Sequence, residues 1–266
     1  MIYVTGDCHG DWRRFQPNCF PEQKNMNRDD YIIVCGDFGI WHDTYGKETE
    51  ELNKLAKLPF TILFVDGNHE NYDRLESEFP EVNFHGGKAH KIRENVYHLE
   101  RGYVFELQGK KFFCFGGASS HDISDGILDP NDYKSEKNFV KVYNEYNLSG
   151  KMFRVKNISW WERELPNEEE MQRGLDNLKE NNNKVDFIIS HCAPESIADI
   201  IGCGLYQEDI LTDYFEKIKN TVHFTKWIFG HYHDDIKFLD DYILLYYQFV
   251  RIDCRKEGRY IDNCSL

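Results

Sequence analysis

Seven side chains that can donate oxygen or imidazole nitrogen to a cation stand just beyond apolar runs. They are Asp7 and His9 in Gly6-Asp7-Cys8-His9-Gly10, Asp37 in Gly36-Asp37, Asn68 in Gly67-Asn68-His69-Glu70, His191 in Ser190-His191, and His231 and His233 in Gly230-His231-Tyr232-His233. Two aspartates, one asparagine and four histidines form a mixed oxygen and nitrogen set. Such a set suits Mn²⁺, Fe, Zn²⁺ or Ni²⁺ better than it suits Ca²⁺, which takes all-oxygen shells. Seven donors are too many for one such ion. Two ions sharing the Asp37 carboxylate would use all seven and still leave positions open for water and substrate.

The elements that must position these groups are legible as short runs rich in Val, Ile, Phe and Tyr. Ile2–Val4, Tyr31–Cys35, Phe60–Val65, Phe112–Phe115, Phe187–Ile189 and Trp227–Phe229 read as core strands. Helices are expected at Lys47–Lys57, Asn71–Glu78, Asn167–Glu180 and Gln207–Lys219. The acidic start Glu168–Glu170 of the third has its explanation in the helix dipole. Alternating strands and helices indicate α/β layers, and in such sheets the carboxyl ends of neighbouring strands face one crevice. Glycines beside the donors let the backbone turn sharply. Asp7 and His9, like His231 and His233, are two apart, which in an extended segment sends both side chains to one side. The stretch Glu81 to Gly117 reads as consecutive strands, and Asp235 to Ile261 as strands without a helix, so a second, more antiparallel sheet is expected. Residues 119–165 are polar and irregular and read as a long surface excursion.

Composition excludes several classes. With 266 residues and 41% hydrophobic content the chain supports one sizeable core, and no apolar run approaches the roughly 20 residues of a membrane span. A strand-like start at Met1-Ile2-Tyr3-Val4 leaves no room for a signal peptide, so the expected location is cytoplasmic. Eight scattered cysteines without a C-x-x-C pair read as reduced thiols. A net charge of −14 opposes binding to long duplex nucleic acid, although carboxylates loaded with cations present a positive site to a phosphate.

The order D-x-H, G-D, G-N-H-(D/E), a lone H and G-H-x-H resembles the calcineurin-like metallophosphoesterase superfamily, with every element present between Asp7 and His233. The resemblance implies a four-layer αββα sandwich of two mixed β-sheets flanked by helices, one domain over residues 1–266. It implies Asp7, His9, Asp37 and His233 on one metal, and Asp37, Asn68, His191 and His231 on the other. Mn²⁺ is the first candidate, with Fe, Zn²⁺ or Ni²⁺ as the others. The activity implied is hydrolysis of a phosphomonoester or phosphodiester. Two cations about 3.5–4 Å apart activate a bridging water for in-line attack and clamp the phosphoryl oxygens. His69 matches the family's catalytic histidine and Glu70 the acidic residue beside it. His69 can protonate the leaving oxygen or stabilise its charge, with Glu70 or another acceptor holding the ring.

Gly36-Asp37 continues as Phe38-Gly39-Ile40-Trp41, without the arginine found there in Ser/Thr protein phosphatases and diadenosine-tetraphosphate hydrolases. The resemblance therefore stops short of their substrates. A small phosphorylated molecule, a nucleotide or an exposed phosphoester is the expected partner. A nuclease or nucleotide phosphodiesterase of the same superfamily and a non-catalytic scaffold or binding protein are the alternatives, and the complete donor set argues against the scaffold.

Single features have plainer readings. His42, His85, His90, His98, His121 and His223 lack the motif context and read as structural or solvated, with His42 and His121 nearest the motif loops. Cys8 alternates away from its neighbours and reads as a buried thiol. Trp160-Trp161 reads as a core anchor before a stacking wall. Lys88, Lys91, Arg93, Arg154 and Arg163 are candidate phosphate contacts that, one by one, read as surface groups.

Overall fold

A computed structural model describes residues 1–252 and, beyond them, only the short strands Arg255–Lys256 and Arg259–Tyr260. All six expected core strands form. In chain order, β1 (Ile2–Thr5), β2 (Tyr31–Val34), β3 (Thr61–Phe64), β4 (Glu81–Phe84), β5 (Gly87–Arg93) and β6 (Val96–Leu99) build one sheet. The next two strands, β7 (Tyr103–Leu107) and β8 (Lys110–Phe115), open a second sheet. A small parallel pair, β9 (Ile127–Leu128) and β10 (Arg154–Val155), stands apart. Then β11 (Phe187–Ser190), β12 (Lys226–Phe229), β13 (Ile236–Phe238) and β14 (Tyr242–Leu244) complete the second sheet, and β15 (Val250–Arg251) returns to the edge of the first beside β1.

The central strands are apolar on both sides because both of their faces are covered. Successive residues go to different layers. Ile2, Val4, Ile33, Leu63, Phe112, Cys114, Phe187, Ile189 and Ile228 meet between the two sheets. Their neighbours Tyr3, Ile32, Val34, Ile62 and Phe64 face outward onto Trp12, Phe15, Leu52, Leu55 and Leu75. On the other side Phe113, Phe115, Ile188, Trp227 and Phe229 pack on Leu178, Ile197, Leu211, Phe215 and Ile218. Helices α1 (Lys47–Leu55) and α2 (Tyr72–Ser77) thus cover the first sheet. Helix α3 (Glu136–Leu148) belongs to the excursion, and α4 (Glu168–Glu180), α5 (Glu195–Gly202) and α6 (Ile210–Thr221) cover the second sheet. The result is the expected sequence of helix, sheet, sheet, helix. Each fully buried Phe or Ile is worth about 1.5–3 kcal/mol over exposure, which pins the strand ends that carry the donors.

Two expectations change. The second sheet is not mainly antiparallel, because its central pairings β8–β11, β11–β12 and β12–β14 are parallel. The run of strands through 81–117 divides between layers: β4 to β6 extend the first sheet, and the chain crosses to the second around Arg101. Residues 119–165 are not irregular throughout, since α3 forms there behind a Ser135 cap. That helix buries none of its residues, so it carries no core-facing stripe to be read. For α4, Asn167 and Glu170 form a reciprocal capping box, which accounts for part of its acidic start.

The six described cysteines are free, with Cys8, Cys35, Cys114 and Cys192 buried; Cys254 and Cys264, and the end of the expected 235–261 strand region, lie outside the described residues. Among the described residues no helix is long and apolar enough to cross a membrane.

Candidate metal centre

The loops after β1, β2, β3, β11 and β12 converge at one edge of the sandwich, because those strands run parallel within their sheets. Backbone bonds tie the loops together: the N–H groups of Cys8 and His9 donate to Asp37 O at 2.9 and 2.7 Å, and Gly230 N–H donates to His191 O at 3.0 Å. Around this edge His233 Nε2 lies 3.2 Å from Asp7 Oδ2 and 3.0 Å from His9 Nε2. His9 Nδ1 is 3.6 Å from Asp37 Oδ2, and His191 Nε2 is 3.4 Å from Asp37 Oδ1 and 3.2 Å from Asn68 Oδ1. Asp37 therefore stands between the His9 side and the His191 side. The buried His231 ring sits 4.9 Å from that of His191, and its backbone N–H donates to both Asp7 oxygens at 3.0 and 3.1 Å. The seven residues singled out from the sequence are thus brought together.

The way they converge differs from the extended pairs expected. His9, Asp37, His231 and His233 have φ of 49°, 48°, 70° and 53°, the left-handed region that non-glycine residues rarely occupy. Tight turns, not alternation along a strand, aim these side chains inward, and strain of this kind gathers at functional sites. Two motif glycines serve close approach. A Cβ on Gly67 would fall 2.1 Å from Asp37 Oδ1, and one on Gly230 would fall 2.1 Å from Asp7 Oδ1. Only a bare Cα lets the carboxylates sit there.

The donor chemistry fits a cation. Asp7 and Asp37 are fully buried, and their ligand atoms lie within 4.8 Å of those of their neighbours in two groups that share Asp7: Asp7, His9 and His233, and Asp7, Asp37 and His191. Burial pushes the Asp37 carboxyl up, but His191, His69 and His9 outweigh it and hold the group well below the usual carboxylate range. Burial disfavours a charged His191, yet Asp37 and Asp7 push that imidazole up to about 10. Both shifts express the demand of buried carboxylates for positive charge.

His69 lies on the same rim, its ring 5.1 Å from that of His9 and its backbone N–H donating to Asp37 Oδ1 at 2.8 Å. Glu70 does not orient that ring, contrary to expectation. Its buried carboxylate accepts the N–H groups of Gly39 at 3.2 Å and Ile40 at 2.8 Å, and so ties the third motif loop to the second. The group against His69 is Arg154, whose guanidinium nitrogens lie 3.3 Å from Nδ1 and 3.1 Å from Nε2. Asp122 grips the same guanidinium at 2.7 and 2.8 Å, and Ser159 O accepts from it at 2.9 Å. Burial, with Arg154 adding its charge, lowers the His69 ring to about 4.

Of the candidate phosphate contacts only Arg154 reaches the site. Lys88 pairs with Glu81, Lys91 with Glu94, Arg163 with Glu76, and Arg93 binds Asn53. His42 bridges Ile158 O and Asn71 and is structural, whereas His121 stands 4.8 Å from the His231 ring. Cys8 joins the outer core of the first sheet, and Trp161 is a buried anchor donating to Asp73. Asp122 and Glu164 carry no signal in the sequence that marks them for the site. Ser120 accepts from Asn68 Nδ2 at 3.3 Å and donates its N–H to Glu164 at 3.2 Å, and no motif announced that chain.

Two mixed sheets packed face to face thus gather carboxylate, amide and imidazole donors at their strand ends. The family model for calcineurin-like phosphoesterase matches residues 1–235, and the chain belongs to the calcineurin-like phosphoesterase family. That family is metal-dependent and acts on phosphoester bonds. A comparison with curated proteins finds no match to this chain.

Proposed function

We propose that this protein is a binuclear phosphoesterase, a single domain that hydrolyses a small phosphomonoester or phosphodiester in the cytoplasm. The observation that carries the reading is Asp37, a buried carboxylate with one oxygen facing His9 and the other facing His191. Asp7, His9, Asp37 and His233 would hold one cation, and Asp37, Asn68, His191 and His231 the other, with Mn²⁺ the first candidate. The chemistry supplied by two bound cations is Lewis-acid: charge neutralised on phosphate and water made nucleophilic at neutral pH. Free, buried thiols at Cys8, Cys35, Cys114 and Cys192 accord with a reducing compartment.

The remaining work falls to the chain's own groups. Arg154 sets a fixed positive charge beside His69, where a phosphoryl or leaving oxygen gains most from it. It takes the part of the arginine missing after Asp37. His69 offers a ring nitrogen to the same oxygen, and Glu70 keeps the Gly39 and Ile40 backbone in place.

The test is hydrolysis of p-nitrophenyl phosphate and its bis ester with Mn²⁺, Ni²⁺ and Zn²⁺. Wild-type turnover no higher than that of a His69→Ala, Asp37→Ala variant, with metals shown to be bound, would refute the reading. Arg154→Ala should lower kcat about 10- to 100-fold, and Arg154→Lys should recover only part of that, because an ammonium lacks the planar fork. An unchanged kcat would remove Arg154 from the site's chemistry. Gly67→Ala should weaken metal binding by about tenfold or more, since the new methyl displaces the Asp37 carboxylate. Metal titration followed by calorimetry reads this, with circular dichroism showing the fold retained.

A further inference from the structure

The structure holds a cavity of about 500 Å³ that opens beside His231. This volume is in the range of small-molecule sites, roughly 300–1,000 Å³. We infer that the cavity seats the organic portion of the substrate and takes a nucleoside-like group: flat, rich in hydrogen-bond donors, uncharged or cationic, and without a second phosphate. The inference rests on the phosphoesterase reading for its position relative to the reacting phosphate.

Three features carry it. First, the cavity is continuous with the candidate metal centre, because His231 and Cys192 form part of its wall. Second, aromatic rings lead outward from the centre. The His121 ring is 4.8 Å from His231 and 6.1 Å from Tyr206, and Tyr206 is 5.0 Å from Tyr232. Such faces accept a base by stacking, whatever its identity. Third, the charge of the wall has one sign. Glu195, Asp199, Glu208 and Asp209 line it, and no lysine or arginine does so among the described residues. The Asp209 carboxylate is engaged with the N–H groups of Leu211 and Thr212, and the Glu195 and Glu208 carboxyls lie within 4.8 Å of each other, so that Asp199 and this acidic pair face a ligand. Carboxylates, Ser124 and Gln207 accept hydrogens from ring amino groups and sugar hydroxyls, whereas a second phosphate would lie among like charges with no counterion.

The experiment has two arms. In the first, metal-loaded protein is given p-nitrophenyl phosphate, adenosine 5′-monophosphate and adenosine 3′,5′-bisphosphate. The expected result is a kcat/KM at least about tenfold higher for the monophosphate than for the bisphosphate, with an Asp199→Lys, Glu208→Lys variant erasing that ratio. In the second, saturation-transfer NMR follows adenosine itself on the protein as isolated. Transfer is expected, and Tyr206→Ala should weaken adenosine binding about fivefold or more. Equal use of the two adenosine phosphates, a ratio unmoved by the double variant, or adenosine transfer unaffected by Tyr206→Ala would overturn the inference. Turnover of p-nitrophenyl phosphate with those negative results leaves the phosphoesterase reading intact. Absence of all turnover together with Tyr206-dependent adenosine transfer overturns that reading and supports the cavity's ligand class.

Discussion

Asp37→Asn should lower kcat for p-nitrophenyl phosphate on the order of a thousandfold or more, and should reduce the bound transition metal from two equivalents to one or none. The magnitude follows from the several kcal/mol that a pair of Lewis-acidic ions supplies in phosphoester hydrolysis, at about 1.4 kcal/mol for each factor of ten. Asp37 spans both sides of the site, with Oδ2 3.6 Å from His9 and Oδ1 3.4 Å from His191, nearer to each than Asp7 at 3.9 and 4.0 Å. An amide keeps the shape of the side chain but offers one neutral oxygen in place of two charged ones. Asp37 Oδ1 also accepts the His69 N–H at 2.8 Å, so the same change loosens the loop that presents His69. Elemental analysis beside steady-state kinetics separates the effects. Two metals retained with near-normal kcat would remove Asp37 from the bridging position and with it the binuclear reading.

The second large effect is expected in stability, one step back from the site. Asp66 immediately precedes Gly67-Asn68 and is almost wholly buried, as is Arg101. Arg101 donates to Asp66 Oδ2 through Nε at 2.9 Å and through a terminal nitrogen at 2.5 Å. Tyr72 OH donates to the same oxygen at 3.0 Å, and His98 Nε2 lies 3.1 Å from Oδ1. Asp66→Asn takes away the nearer countercharge of the buried guanidinium and leaves it only Glu170, at 3.4 Å, which costs about 3–5 kcal/mol. That is a large part of the ~5–15 kcal/mol by which a domain is stable. Urea unfolding measures it, and Asp66→Asn combined with Arg101→Met should recover part of the loss, since both charges are then gone.

The pH dependence has a definite sign. Burial pushes the Asp66 carboxyl up, but Arg101 and His98 outweigh it and hold the folded-state pKa below the unfolded value of ~3.9. Its contribution is therefore complete above that value and is lost as pH falls below it. The gap between wild type and Asp66→Asn should shrink on going from pH 7 to acid. A loss under 1 kcal/mol, or a gap that is constant with pH, would contradict this account.

The donor cluster and the phosphoesterase family were legible in the sequence for a simple reason. Each donor sits within a residue or two of a glycine or a strand end, and such local patterns do not depend on knowing which strands are neighbours. The core strands were legible because the inner strands of a covered sheet are apolar on both faces, as Ile32-Ile33-Val34 and Phe112-Phe113-Cys114 are. Helix α3 was not, because a helix with no buried residue leaves no stripe. The placement of β4 to β8 was not, because strand pairing across a sheet is decided by partners far along the chain.

By itself, then, the sequence determined which atoms are available to hold cations and that they stand at strand ends. Tertiary structure alone decided what surrounds them. Arg154, 85 residues from His69, reaches its ring only because β10 and the excursion fold back over the site. Glu70, next to His69 in the chain, turns away to the Gly39 and Ile40 backbone. Side chains adjacent in sequence point apart when the backbone between them turns, and those far apart meet when strands pair, so the partners of a site residue are a property of the packed fold.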